Sequence, residues 1–313
     1  MIRFSNLIIL LSITVIVYTL CGCSKNVESM DNRITVAVSI VPEKTFVKKV
    51  AGDMVNIVTL VPPGYSPENY QPNPQQIENF SKASLYFSMD VPTEEADIHP
   101  KVKDLNPGMK IVHLSQLVGE IYPHRYFGEG FDGHSNNIEH HNKEAHHHEG
   151  RDPHIWLSPK RVKVMVDIIR EELSELDSKN KEAYTQNAAA FKKELDELDD
   201  SIKKMFRGLE GKSFIVYHPS LGYFADDYGL EMLSLEQSGK QATVGSFRKI
   251  IDKARHENIK VIFYQAEVDS KQSRTFAEEI GGRALQIDPL SENYIENLKK
   301  IGETISGVLG REE

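Results

Sequence analysis

The sequence predicts an α/β protein of two (β/α) lobes, each built on a parallel sheet and joined by one long rigid linker helix. Two observations carry this reading. Short β-branched or apolar runs alternate with helical segments over residues 33–158 and again over 208–313. That rotation of strand, loop, helix and strand is what a parallel sheet covered by helices requires. Between the two stretches, over about 181–207, apolar residues recur at spacings of four and three: Tyr184, Ala188, Phe191, Leu195, Leu198, Ile202 and Met205. The spacing draws one stripe along a helix of about seven turns, roughly 40 Å long. A single such stripe inside a βα chain is expected to pack along its own domains, not to form a coiled-coil seam.

The elements follow in order. Residues 34–38 (Ile-Thr-Val-Ala-Val) read as the first strand, and 42–50 as a helix opened by Pro42. A second strand over 55–61 stops at Pro62-Pro63-Gly64, which makes a turn. Pro74 opens a short helix, and 84–88 and 110–112 supply the third and fourth strands. Ser158 is expected as an N-cap with Pro159 at the first helical position, ahead of Val162, Val164, Met165, Ile168, Ile169 and Leu173. Beyond Gly208 come strands at 213–217 and 230–235, a helix at 243–256 and a strand at 261–264. A helix at 270–280 closes at Gly281-Gly282, and a strand at 284–287 and a helix from about 292 end the chain. No sequence repeat relates the two halves.

The N-terminus carries Arg3, an apolar run over 7–20 and then Leu20-Cys21-Gly22-Cys23. The run is short for a membrane span and fits an export signal. Its end resembles the lipobox of bacterial-type lipoproteins, which implies cleavage before Cys23 and acylation of that sulfur. Residues 1–22 are then a signal peptide, 23–32 a lipidated tether, 33–158 the N-terminal lobe, 159–207 the linking helices and 208–313 the C-terminal lobe. Cleavage removes one of the two cysteines and Arg3, taking the net charge from -9 to one unit more negative. No disulfide and no thiolate ligand is left. The acidic balance argues against nucleic acid as a partner and suits cations.

Six of the twelve histidines crowd one segment: His134, His140, His141, His146, His147 and His148. The loop of 133–150 has no hydrophobic period and reads as a polar, weakly metal-binding tract without fixed structure. It leads to Asp152-Pro153-His154-Ile155-Trp156-Leu157-Ser158-Pro159, which holds the single tryptophan. Ligands of open parallel sheets sit beyond the carboxyl ends of the strands. Four candidate metal ligands lie in such turns: Glu68, His154, His218 and Asp288. Imidazole and carboxylate suit a divalent transition metal where thiolate is lacking. Three of the four adjoin a proline (Pro153, Pro219, Pro289), which restricts the backbone that presents them.

The segment Pro63-Gly64…Ser66-Pro67…Tyr70…Pro72…Pro74, the Asp152 to Pro159 segment, Tyr217-His218…Tyr223-Phe224 and Ile287-Asp288-Pro289-Leu290 occur here in one order. Together with Cys23 they resemble the cluster A-I substrate-binding proteins of zinc and manganese ABC importers. The resemblance covers essentially the whole chain after the leader. It implies a metal held in the cleft between the lobes, delivery to a membrane permease driven by a separate ATPase subunit, and an extracytoplasmic, lipid-anchored, monomeric protein that is not an enzyme. His154, His218 and Asp288 match ligand positions of the family. Glu68 stands where the family usually has histidine, and Gln265 where relatives often have glutamate.

His218 and the histidine-rich loop fit the zinc branch of that family, and Glu68 leans toward manganese, so Zn²⁺ is the expected ion and Mn²⁺ the alternative. Neutral imidazole is needed for coordination, so capture is expected to weaken below about pH 6.5. Two rival functions remain at this stage. A zinc hydrolase would use two histidines and two carboxylates around an open position, but the chain has no His-Glu-x-x-His or Gly-x-Ser-x-Gly segment. A surface adhesin would share the same lipid anchor.

Overall fold

Strand β1 (Ile34–Val38) is central to the first sheet and pairs in parallel on both sides. Val36 and Val38 on one face and Ala37 on the other are fully buried, so both faces of this strand are covered, as in other all-parallel sheets. The computed structural model describes residues 33–127, 150–237, 240–241, 243–267 and 270–310. The leader, Cys23 and the six histidines from His134 to His148 lie outside the described residues.

After β1, helix α1 (Val41–Ala51) leads to β2 (Val55–Thr59), and α2 (Pro74–Ser81) to β3 (Leu85–Ser88). A π-helical turn over Glu94–Ile98 and a short helix, α3 (Val102–Leu105), precede β4 (Lys110–His113) and α4 (Leu114–Gly119). A 3₁₀ turn over Ile155–Leu157 enters α5 (Pro159–Leu176), and α6 (Lys181–Phe206) follows. The expected cap is present, with Ser158 Oγ accepting from the Arg161 amide at 3.4 Å. At the start of α2, Asn73 and Gln76 form a reciprocal capping box.

The second sheet contains β5 (Ser213–Val216), β6 (Glu231–Ser234), β9 (Val261–Gln265) and β10 (Arg283–Ile287). Between β5 and β6 lies α7 (Gly222–Asp227). A small antiparallel pair, β7 (Glu236–Gln237) and β8 (Lys240–Gln241), leads to α8 (Val244–His256). Then α9 (Ser270–Glu279) joins β9 to β10, and α10 (Tyr294–Leu309) closes the chain. The sheets run β2-β1-β3-β4 and β6-β5-β9-β10, all parallel. Counted within each half, both have the order second, first, third, fourth. The repeat that the residues hide is therefore present in the topology.

Helix α6 joins the halves. Its buried stripe is Tyr184, Ala188, Phe191, Leu195, Leu198, Ile202 and Phe206. The last position differs from the expected Met205, which is only partly buried against the core. Burying side chains of this size contributes about 2 kcal/mol each. The helix is tied to the first half by Asn187 Nδ2, which donates to Val50 O at 3.0 Å. Toward the second half, Tyr228 Oη donates to Asp199 Oδ1 at 3.0 Å. One apolar cluster runs from Val36 and Phe46 through Phe191 and Ile202 to Phe263 and Ile305, so both sheets share a core with the helix between them. Among the described residues, no helix is long and apolar enough to cross a membrane.

Candidate metal centre

Glu68 sits in the turn after β2. That turn is pinned by the Thr93 amide, which donates to Pro67 O at 3.1 Å, and by Thr93 Oγ1, which donates to Tyr70 O at 3.1 Å. Residues 152–154 fold tightly enough for one carboxylate oxygen, Asp152 Oδ1, to accept from both the His154 amide (3.0 Å) and His154 Nδ1 (2.8 Å). This fixes the ring's orientation and leaves Nε2 to face outward as a ligand. The turn is locked to the second half through Trp156, whose Nε1 donates to Pro289 O at 2.9 Å, while Tyr294 Oη donates to Trp156 O at 2.8 Å. His218 follows β5, and its Nδ1 lies 2.8 Å from Glu236 Oε2.

Three of the four expected ligands meet where the halves join. His154 Nε2 and His218 Nε2 are 3.3 Å apart, and Glu68 Oε1 lies 2.5 Å from His218 Nε2 and 3.6 Å from His154 Nε2. Both histidine side chains are 4% exposed and that of Glu68 is 22% exposed, so an ion here would be reached past the carboxylate. A tetrahedral site with bonds of about 2.0–2.1 Å separates its ligand atoms by about 3.4 Å. Two of the three distances already match that edge. The third is a hydrogen bond that must open by about 1 Å as an ion replaces its proton.

The electrostatics of the trio follow from this geometry. Burial works against a charged His218, but hydrogen bonds to Glu236 and Glu68 outweigh it and push the imidazolium up to about 9. For Glu68, burial would raise the carboxyl, yet the His218 hydrogen bond and the charges of His218 and His154 leave it below its usual range. The expectation that proton competition begins only below about pH 6.5 is therefore revised for His218, where it begins near 9.

Asp288 is not part of this trio. Its Oδ1 accepts from the Leu290 amide at 3.1 Å, and its carbonyl accepts from Asn297 Nδ2 at 2.5 Å. Nearby, Glu267 is raised by burial and by the charge of Asp288, and its Oε2 is buried with no hydrogen-bond partner. Gln265 donates to Ser220 Oγ at 2.5 Å and so braces the turn that carries His218.

Two orienting carboxylates, Asp152 and Glu236, were missing from the sequence-derived set. Glu236 was within reach of the same rule, since it directly follows the strand expected at 230–235. Asp152 carried a signal in its spacing, two residues before a buried histidine across a proline.

Two parallel α/β sheets braced by one long helix, with imidazole and carboxylate converging beyond the strand ends, define a metal-binding substrate-binding protein of the cluster A-I type. The family model described as zinc-uptake complex component A, periplasmic (ZnuA), matches residues 36–308, and the chain belongs to that family. The chain is 28% identical over 294 residues to the zinc-binding lipoprotein AdcA of Streptococcus pneumoniae, covering 93% of this chain and 56% of that protein. It thus spans about half the length of the streptococcal relatives it matches. The high-affinity zinc uptake system protein ZnuA of Bacillus subtilis is 26% identical over 284 residues, with 86% and 83% of the two chains covered. Among solved structures, one of ZnuA superposes with TM-score 0.74 at 31% identity, covering 89% of this chain and 100% of that one. A zinc-bound deletion mutant of ZnuA gives 0.78 at 30% identity, with 90% and 100% covered.

Proposed function

We propose that the chain is the extracytoplasmic binding protein of a metal ABC importer, and that it captures one zinc ion with Glu68, His154 and His218. The reading rests chiefly on one observation: two buried imidazoles, each oriented by its own carboxylate, point their Nε2 atoms at each other across 3.3 Å. That is a ligand pair built in advance of the ion, and two imidazoles with one carboxylate suit zinc better than manganese. The zinc-binding names of the relatives support the same ion. The fourth ligand of this reading is Asp288, also from the second half. Binding without turnover is all that delivery requires, so the protein is not an enzyme.

The partners are a membrane permease and its ATPase subunit. The chain is exported, cleaved before Cys23, held at the membrane by acyl groups on that sulfur, and works as a monomer. The six histidines of the loop at 133–150 gather zinc weakly and raise its concentration near the site. The experiment is growth of a deletion strain in chelator-treated medium. Wild-type chain is expected to restore growth at low zinc, and His154→Ala and His218→Ala are not. Restoration by manganese alone, with zinc ineffective, would replace zinc by the alternative ion.

A further inference from the structure

We propose that Asp90, His99 and His113 form a second transition-metal site, separate from the trio at the lobe junction and weaker than it. Among the described residues these are the one further group of imidazole and carboxylate atoms close enough together to hold an ion. Asp90 comes directly after β3 and Met89, His113 is the last residue of β4, and His99 caps the π-helical turn. The site therefore lies at the carboxyl edge of the first sheet, where open parallel sheets place ligands.

His113 Nδ1 is 2.6 Å from Asp90 Oδ1, and His99 Nε2 is 3.8 Å from the same oxygen. The two rings stand 5.2 Å apart, edge to face. The carboxylate is oriented as a ligand should be: Ser115 Oγ donates to Oδ2, and Ser88 Oγ lies 3.1 Å from Oδ1. Asp90 also holds a left-handed backbone, φ 54°, which Asp tolerates better than most non-glycine residues. The Asp90 side chain is 4% exposed, while those of His99 and His113 are 22% and 33% exposed, so the carboxylate is built in and an ion can still enter. Two imidazoles, one carboxylate and a remaining position for water suit zinc, cobalt or nickel more than calcium or magnesium.

One feature weakens the site relative to the trio. Arg151 Nη2 donates to the Asp90 carbonyl at 2.6 Å, bringing a positive charge beside the carboxylate. Glu95 Oε1, 3.8 Å from that nitrogen, only partly offsets it.

The test uses the full chain with His134, His140, His141, His146, His147 and His148 replaced by serine, titrated calorimetrically with zinc alone. Two equivalents are expected, one tight and one weaker. Adding His99→Ala is expected to weaken the second at least tenfold and spare the first, whereas adding His154→Ala removes the first and spares the second. A single equivalent in the serine-substituted chain would overturn the proposal, and so would a second equivalent untouched by His99→Ala. If a variant fails to fold, crystals of the unaltered chain with two equivalents of zinc decide. An anomalous peak between the His99 and His113 rings supports the site, and a filled lobe junction with no peak there overturns it.

Discussion

Replacing Glu236 by alanine separates two effects that the structure combines on His218. Glu236 Oε2 sits 2.8 Å from His218 Nδ1, and its side chain is 15% exposed. Losing an orienting carboxylate of this kind costs about 10–100-fold in metal affinity. The same carboxylate helps push the His218 imidazolium up to about 9, so at pH 7 an incoming ion must displace a proton at a cost of about 3 kcal/mol. Removing Glu236 lowers that competition, which regains up to about tenfold at pH 7 and nothing once His218 has already lost its proton. In the wild type, zinc affinity is expected to rise about tenfold per pH unit from 7 toward 9. The variant is expected to level off at lower pH, with a loss that is small at pH 7 and reaches the full 10–100-fold near pH 9. Competition against a chromophoric zinc chelator across that range provides the assay. Parallel curves, or a variant as tight as wild type at pH 9, would refute the reasoning.

Further expectations are as direct. A β-carbon added at Gly222 would stand 2.5 Å from Arg125 Nε and 2.7 Å from Asp152 Oδ2, so Gly222→Ala should push Asp152 off His154 and weaken zinc binding by about 10-fold or more, read by the same competition. Without metal, the raised His218 stabilises the fold fully below about pH 6.5, and that contribution, up to about 3 kcal/mol, is lost as pH rises through about 9. Urea melts of the metal-free chain should show this decline, and His218→Gln should remove that part of it. Deleting residues 133–149 should leave the tight zinc equivalent of the trio and the weaker one at Asp90, His99 and His113 in calorimetry, and remove only additional weak equivalents, because flexible ligands lose entropy on gathering around an ion.

Much of this protein is written in local patterns. The strands at 34–38, 110–113 and 283–287 and the stripe of α6 follow from period and β-branching, and the turns bearing Glu68, His154 and His218 follow from where strands stop. What stayed hidden has physical reasons. Helices α3, α4 and α7 have four to six residues, too few to show a period, and tertiary packing decides them. The π-helical turn forms around Glu94, a buried carboxyl that accepts from the Val91 amide at 2.8 Å and is pushed up to about 7 by burial, a network no local window contains. The partnership of His218 with Glu236 spans 18 residues and depends on β5 and β6 lying side by side. The matching strand order of the two halves is a property of pairing alone, and sequence similarity had no part in revealing it.

The central claim is that the tightly held ion sits between Glu68, His154 and His218. X-ray absorption fine structure at the zinc edge, on untagged chain carrying one equivalent of zinc, tests it most directly. The expected spectrum has two imidazole nitrogens and oxygen ligands at about 2.0–2.1 Å, and His154→Ala is expected to lose this tightly held ion on dialysis. Three or more imidazoles around the single ion, with no change on His154→Ala, would contradict the account and move the tight site to the histidine-rich segment.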